Sequence, residues 1–96
     1  MISMRRYGEA PFKVAVVHGG PGAQGSMAPV ARELSASIGT MEPLQTATTI
    51  EGQVEELRAA LEETDTPVVL IGHSWGAWLS WLLAAQRPSM VRELIM

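Results

Sequence analysis

Residues 68–85 read VVLIGHSWGAWLSWLLAA. A run of branched aliphatic residues, Val68 to Ile71, stops at Gly72, and a mostly apolar stretch resumes at Trp75 and continues to Ala85. With Pro67 before it, the first part, Pro67 to Gly72, reads as a strand covered on both faces, and the second reads as a helix. Between them Gly72-His73-Ser74-Trp75-Gly76 sets a serine with a glycine two positions away on each side. Glycines suit a sharp strand-to-helix turn, because the two backbones approach there and a Cβ at either flank would collide. A serine at the tip of such a turn is placed to act as a nucleophile, provided some base takes its proton.

Outward from this segment the chain alternates strand and helix. Lys13 to His18 is a short β-branched run ending in glycines, a second buried strand. Ser26 to Ser37 reads as a helix with Val30, Leu34 and Ile38 at four-residue spacing, Pro29 in its first turn and Gly39 at its C-cap. Thr40 to Leu44 is a short strand interrupted by Pro43, expected near a sheet edge. Thr48 and Glu51 have capping-box spacing, and the helix after them carries Ile50, Val54, Leu57 and Leu61 on one stripe. Its Glu51, Glu55, Glu56, Glu62 and Glu63 are expected on a solvated face. The helix from Trp75 ends near Arg87-Pro88, and Val91 to Met96 begins another strand. Trp78 and Trp81, at helical spacing, are expected to pack against the sheet.

The sequence therefore predicts one α/β domain over residues 1–96, a partial parallel sheet of about four strands with helices on both faces. The chain has 96 residues, 47% hydrophobic and 18% charged, a globular composition. Its net charge of −3 and scattered Lys and Arg leave no electrostatic footprint for nucleic acid or an anionic membrane. It has no cysteine, which excludes disulfides and thiol chemistry. Neither a secretory signal nor an apolar run of the roughly 20 residues needed to span a bilayer is visible, so a cytoplasmic protein is expected. No metal-ligand or cofactor pattern is assigned.

A second motif, His18-Gly19-Gly20-Pro21-Gly22, leaves the first strand and enters a loop. Active sites of parallel α/β sheets lie beyond the carboxyl ends of the strands, so the two glycine-rich motifs are expected on one rim. Gly20-Pro21-Gly22-Ala23-Gln24-Gly25 also fits G-x-G-x-x-G, with Glu42 about 20 residues on, where a dinucleotide fold keeps its ribose-binding acid. That reading leaves the serine motif unexplained. Taken together, the motifs resemble those of the serine hydrolases of the α/β-hydrolase family, and within it the proline iminopeptidase-like branch. The resemblance covers Lys13 to Met96, about the first half of a normal member. It implies Ser74 as nucleophile, with the backbone N–H groups of Trp75 and Gly20 (Gly19 as the fallback) forming an oxyanion hole. It disfavours the dehalogenase and epoxide-hydrolase branches, which use aspartate at the nucleophile position. Where that branch carries an Asp-x-Arg-Gly-like segment this chain reads Met41-Glu42-Pro43-Leu44-Gln45-Thr46, so peptidase specificity does not carry over.

The expected function is hydrolysis of a carboxylic ester or small amide through an acyl-serine. The resemblance places the acid and histidine of the triad beyond Met96, so the chain alone is expected to be inactive or nearly so. Asp65, the only aspartate, lies roughly 20 Å from the rim by strand length. Glu42 lies near the rim without a partner histidine. His18 is expected to brace its loop and His73 to pack or hydrogen-bond rather than act as the base. The alternative is a non-catalytic interaction module, self-associating through an exposed apolar edge at Val91–Met96.

Overall fold

The computed structural model describes residues 4–20, 25–64 and 67–96. Five strands and three helices follow in the order β1 (Met4–Tyr7), β2 (Phe12–Val17), α1 (Ala28–Leu34), β3 (Gly39–Pro43), α2 (Ile50–Glu62), β4 (Val68–Gly72), α3 (Trp75–Gln86) and β5 (Val91–Ile95), with a 3₁₀ turn at Pro88–Met90 before β5. The strands form one sheet in the order β1-β3-β2-β4-β5. Four of them are parallel, as the alternation of elements requires. β1 is an addition that runs antiparallel to β3, with Met4 opposite Pro43 and Tyr7 opposite Thr40. Its short sequence, Met-Arg-Arg-Tyr, has no apolar alternation because it lies at the sheet edge with both arginines exposed. The presence of β1 also moves β3 inward: all five of its residues are buried, although its Pro43 suggested an edge.

Alternation along β2 sets the two layers of the core. Ala15 and Val17 face Val54, Leu57 and Leu61 of α2 and Leu79 and Leu83 of α3, while Val14 and Val16 face Met27 and Ala31 on the α1 side. Helices thus cover both faces. Each fully buried leucine contributes about 1.5–3 kcal/mol by leaving water. No helix among the described residues is long and apolar enough to cross a membrane.

Several helix boundaries and faces differ from the sequence reading. α1 is short, because the Ser35 hydroxyl takes the Arg32 carbonyl and the Ile38 N–H turns back to Leu34. Gly39 then opens β3 instead of capping a helix, and α1 buries only small residues, Ala28 and Ala31, while Val30 and Ile38 are exposed. α2 is capped by Thr49, not Thr48; its extended backbone lets Oγ1 accept the Gly52 N–H at 3.0 Å. That shift leaves Ile50 exposed and puts Gln53 on the buried stripe with Val54, Leu57, Ala60 and Leu61. Of the α2 carboxylates, Glu55 and Glu62 pair with Arg58 at the surface, where such pairs add little.

The largest correction concerns α3. Gly76, Leu79, Ser80 and Leu83 form its buried stripe, so Trp78 and Trp81 are turned away from the sheet. They are 52% and 46% exposed and stack on each other, with centroids 5.4 Å apart and planes at 16°. The helix sits too close to the sheet at Gly76 for a tryptophan to be interposed. Spacing alone gave the two indoles a shared face without saying which face the sheet takes.

Candidate functional site

β2 and β4 are adjacent and parallel, with Val17 opposite Gly72. The connection after β2 leads to α1 on one face, and the connection after β4 leads to α3 on the other. A crevice opens at such a switch point, outside the carboxyl ends of the two strands. His18-Gly19-Gly20 and His73-Ser74 both lie at these carboxyl ends.

Ser74 has φ 56° and ψ −120°, the only positive φ of a non-glycine among the described residues. This is a strained conformation, of a kind that persists only where its surroundings over-determine it. The restraints are visible. Gly76 N–H donates to the His73 carbonyl at 2.9 Å, Ala77 N–H to the Ser74 carbonyl at 3.0 Å, and His73 N–H to the Val17 carbonyl at 3.3 Å. A Cβ on Gly72 would lie 2.5 Å from the Ala77 Cα, and one on Gly76 would lie 2.1 Å from the Val17 carbonyl oxygen. Ser74 is exposed, and its hydroxyl makes no cap bond to α3. Trp75, at the first helical position, carries an N–H with no intrahelical acceptor, at the positive end of the helix dipole.

The loop after β2 lies against this turn. A Cβ on Gly19 would come 3.2 Å from the Ser74 Cβ and 3.1 Å from the His73 carbonyl oxygen. Gly20 follows at φ 48°, where glycine is permissive. Pro21, Gly22, Ala23 and Gln24, which carry most of the G-x-G-x-x-G pattern, lie outside the described residues, as does Asp65.

His18 is completely buried. Its Nε2 accepts the Gln45 N–H at 3.0 Å, which leaves the ring proton on Nδ1, 3.1 Å from the Gly19 carbonyl oxygen. Both nitrogens are committed to bracing the loop, and neither is open to the Ser74 proton. His73 is exposed and its Nδ1 borders Gly19, so it packs on the rim and not in the core. Glu42 is fully buried on β3. It accepts the Met27 N–H at 3.2 Å and the Tyr7 hydroxyl at 3.4 Å. This carboxylate serves the N-terminus of α1, whose own cap residue offers no side-chain bond. It is available neither to a ribose nor to a base at Ser74.

Three polar residues outside both motifs complete the surroundings. Gln45 also donates its side-chain Nε2 to the His18 carbonyl at 2.9 Å. Gln53 accepts the Trp75 indole N–H at 2.6 Å and donates to the Ala47 carbonyl at 3.0 Å. Glu56 accepts the N–H groups of Thr46 and Ala47, both at 2.9 Å, and the Thr46 hydroxyl. Glu56 had been expected among solvated carboxylates. Gln53 had a legible signal, a polar residue four before Leu57 on an apolar stripe; Gln45 had none.

Burial pushes the Glu56 carboxyl up, but its hydrogen bonds from the Thr46 hydroxyl and the Ala47 and Thr46 N–H groups together outweigh this and hold it below the ordinary value of 4.5. A lowered folded-state value stabilises above the unfolded value, and that stability is lost as pH falls through the folded one. Glu56→Gln is therefore expected to cost about 1 kcal/mol at pH 7, discounted for partial exposure. The difference from wild type should shrink as denaturation is repeated below pH 4.5.

Among the described residues no group of three His, Cys, Asp or Glu side chains gathers to hold a metal ion. No protein-family model matches the sequence, and no curated protein matches it. Solved structures do. A thioesterase domain from the curacin biosynthetic pathway superposes with a TM-score of 0.86 at 23% identity, over 97% of this chain and 38% of that one. An epoxide hydrolase from Vigna radiata gives 0.79 at 25% identity, over 95% and 35%. The epoxide hydrolase of Bacillus megaterium gives 0.77 at 21%, over 95% and 36%. These are α/β-hydrolase fold proteins. The chain has their fold over the part it matches, and it spans little more than a third of their length.

Proposed function

We propose that this α/β-hydrolase fold carries the nucleophile half of an acyl-transfer site, with Ser74 attacking a carboxylic ester or small amide. The observation that supports this best is the strained backbone at Ser74, held by glycines and backbone hydrogen bonds at a switch point of the sheet. Fold alone would not support it, since the same fold serves epoxide hydrolases and a thioesterase. A serine at the turn suits acyl transfer, the chemistry of the thioesterase. The proline iminopeptidase-like branch remains a resemblance of motifs, without a substrate attached to it.

In this mechanism Ser74 Oγ bonds to the carbonyl carbon while its proton passes to solvent water at this exposed turn. The C=O electron pair moves onto oxygen, which the N–H groups of Trp75 and Gly20 receive. Collapse expels the alcohol or amine, which takes up a proton, and leaves an acyl-serine. Water then attacks the acyl carbon and frees the acid and the serine hydroxyl. Donors of this kind are each worth about 10²–10³ in rate. With both its nitrogens engaged, His18 does not activate water for deacylation. The chain is therefore expected to take up one acetyl group from p-nitrophenyl acetate, on Ser74, without sustained turnover. Intact mass and peptide mapping of wild type and Ser74→Ala test this; acetylation that persists unchanged in Ser74→Ala would overturn it.

A second reading, a module that binds a second copy of itself, is favoured by the stacked and exposed Trp78–Trp81 pair on α3 and by β5 at the edge of the sheet. Concentration-dependent dimerisation with an unreactive Ser74 would favour that reading over the first.

A further inference from the structure

We propose that Gln45 and Gln53 are positioning residues. They would be the two ends of one hydrogen-bonded strap that sets the spacing across the Ser74 crevice between the His18-Gly19-Gly20 loop and the start of α3. The proposal rests on the reading of Ser74 as a nucleophile for its purpose, though not for its geometry. The two walls of the crevice come from different strands, β2 and β4, and the loop wall ends in residues without side chains. Something must hold that wall, because an oxyanion donor displaced by a fraction of an ångström loses much of its effect.

The segment between β3 and α2 supplies the hold. At one end Gln45 grips His18 twice, through its backbone N–H to the ring and through its side-chain amide to the carbonyl. The His18 ring in turn holds the Gly19 carbonyl, and Gly19 lies against Ser74. At the other end Gln53 takes the Trp75 indole N–H. The middle is continuous, since Gln53 also holds the Ala47 carbonyl and Glu56 holds Thr46 and Ala47. Gln45, Gln53 and His18 are all buried, so these bonds are not readily exchanged for water. A chain of partners therefore runs from Gly19 to Trp75 without passing through Ser74.

The test is nitrogen-15 NMR of the full chain, which needs no catalytic activity. The signals to follow are the Gly19 and Gly20 amides, the His18 ring nitrogens and the Trp75 indole proton. Gln45→Glu keeps the shape but sets an acceptor against the His18 carbonyl. Gln53→Met removes both bonds of that amide. Each is expected to shift the signals of both walls, and Gln53→Met to speed exchange of the Trp75 indole proton about tenfold, the loss of one neutral hydrogen bond. Should either variant fail to fold, Glu56→Ala removes the acceptor of the Thr46 and Ala47 N–H groups and so loosens the middle of the strap without touching the ends, and again both walls should respond together. Shifts confined to the wall next to each substitution would overturn the proposal. The Ser74 reading stands or falls separately: fluorophosphonate labelling of Ser74 should slow about tenfold in Gln45→Glu and Gln53→Met. Coupled shifts with an unreactive Ser74 would leave the strap and remove the hydrolase.

Discussion

Gly76→Ala is expected to destabilise the fold by at least about 3 kcal/mol, a large part of the roughly 5–10 kcal/mol available to a domain of this size. The sign matters as much as the size. Helix propensity alone predicts a gain of about 1 kcal/mol when alanine replaces glycine inside a helix. Here the new Cβ would lie 2.1 Å from the Val17 carbonyl oxygen and 2.6 Å from that of His18. Both are backbone atoms at the end of a buried strand, so neither can swing aside as a flexible side chain would. α3 would have to lift from the sheet, opening the contacts of Leu79 and Leu83. Urea denaturation of the two proteins measures the difference. A variant as stable as wild type, or more so, would mean that α3 does not dock on β2 as described.

Ser74→Gly is expected to act in the opposite direction, raising stability by about 1 kcal/mol. Only glycine occupies φ 56° with ψ −120° without strain, and the serine hydroxyl gives α3 no cap bond whose loss would offset the gain. Ser74→Ala retains the Cβ and hence the strain, so it should remain near wild type. The same pair of variants should both lose acylation. A protein that becomes more stable when this exposed turn residue is replaced, and unreactive at the same time, has a residue kept there at a cost to folding. Equal stability of the glycine and alanine variants in thermal and urea denaturation would contradict the strained geometry.

Much of this was legible because it rests on local chemistry. Val68 to Gly72 and Trp75 to Gln86 fell where an unbroken apolar run meets a glycine-framed turn, since that pattern has few other solutions. The approach of Gly19 to Ser74 followed from parallel strands sharing a rim. What the sequence hid depends on tertiary partners. β1 has no pattern of its own, because Arg5 and Arg6 are tolerated only at an edge that β3 provides. Trp78 and Trp81 carried the periodicity of a helix face, but the docking face is chosen by Gly76, the residue that lets the backbone approach. Glu42, Gln45 and Glu56 look like ordinary polar residues of a strand, a loop and a helix. Their roles come from hydrogen-bond partners 9 to 35 positions away along the chain, a separation that no spacing rule reaches.

The central claim, that the fold presents Ser74 as a nucleophile, is tested most directly by treating the purified chain with a fluorophosphonate and mapping the adduct by peptide mass. The account predicts a single phosphonylated residue, Ser74, with labelling abolished in Ser74→Ala and Ser74→Gly and slowed in Gln45→Glu. A folded chain that takes up no phosphonate, or takes it up at another residue, would contradict it.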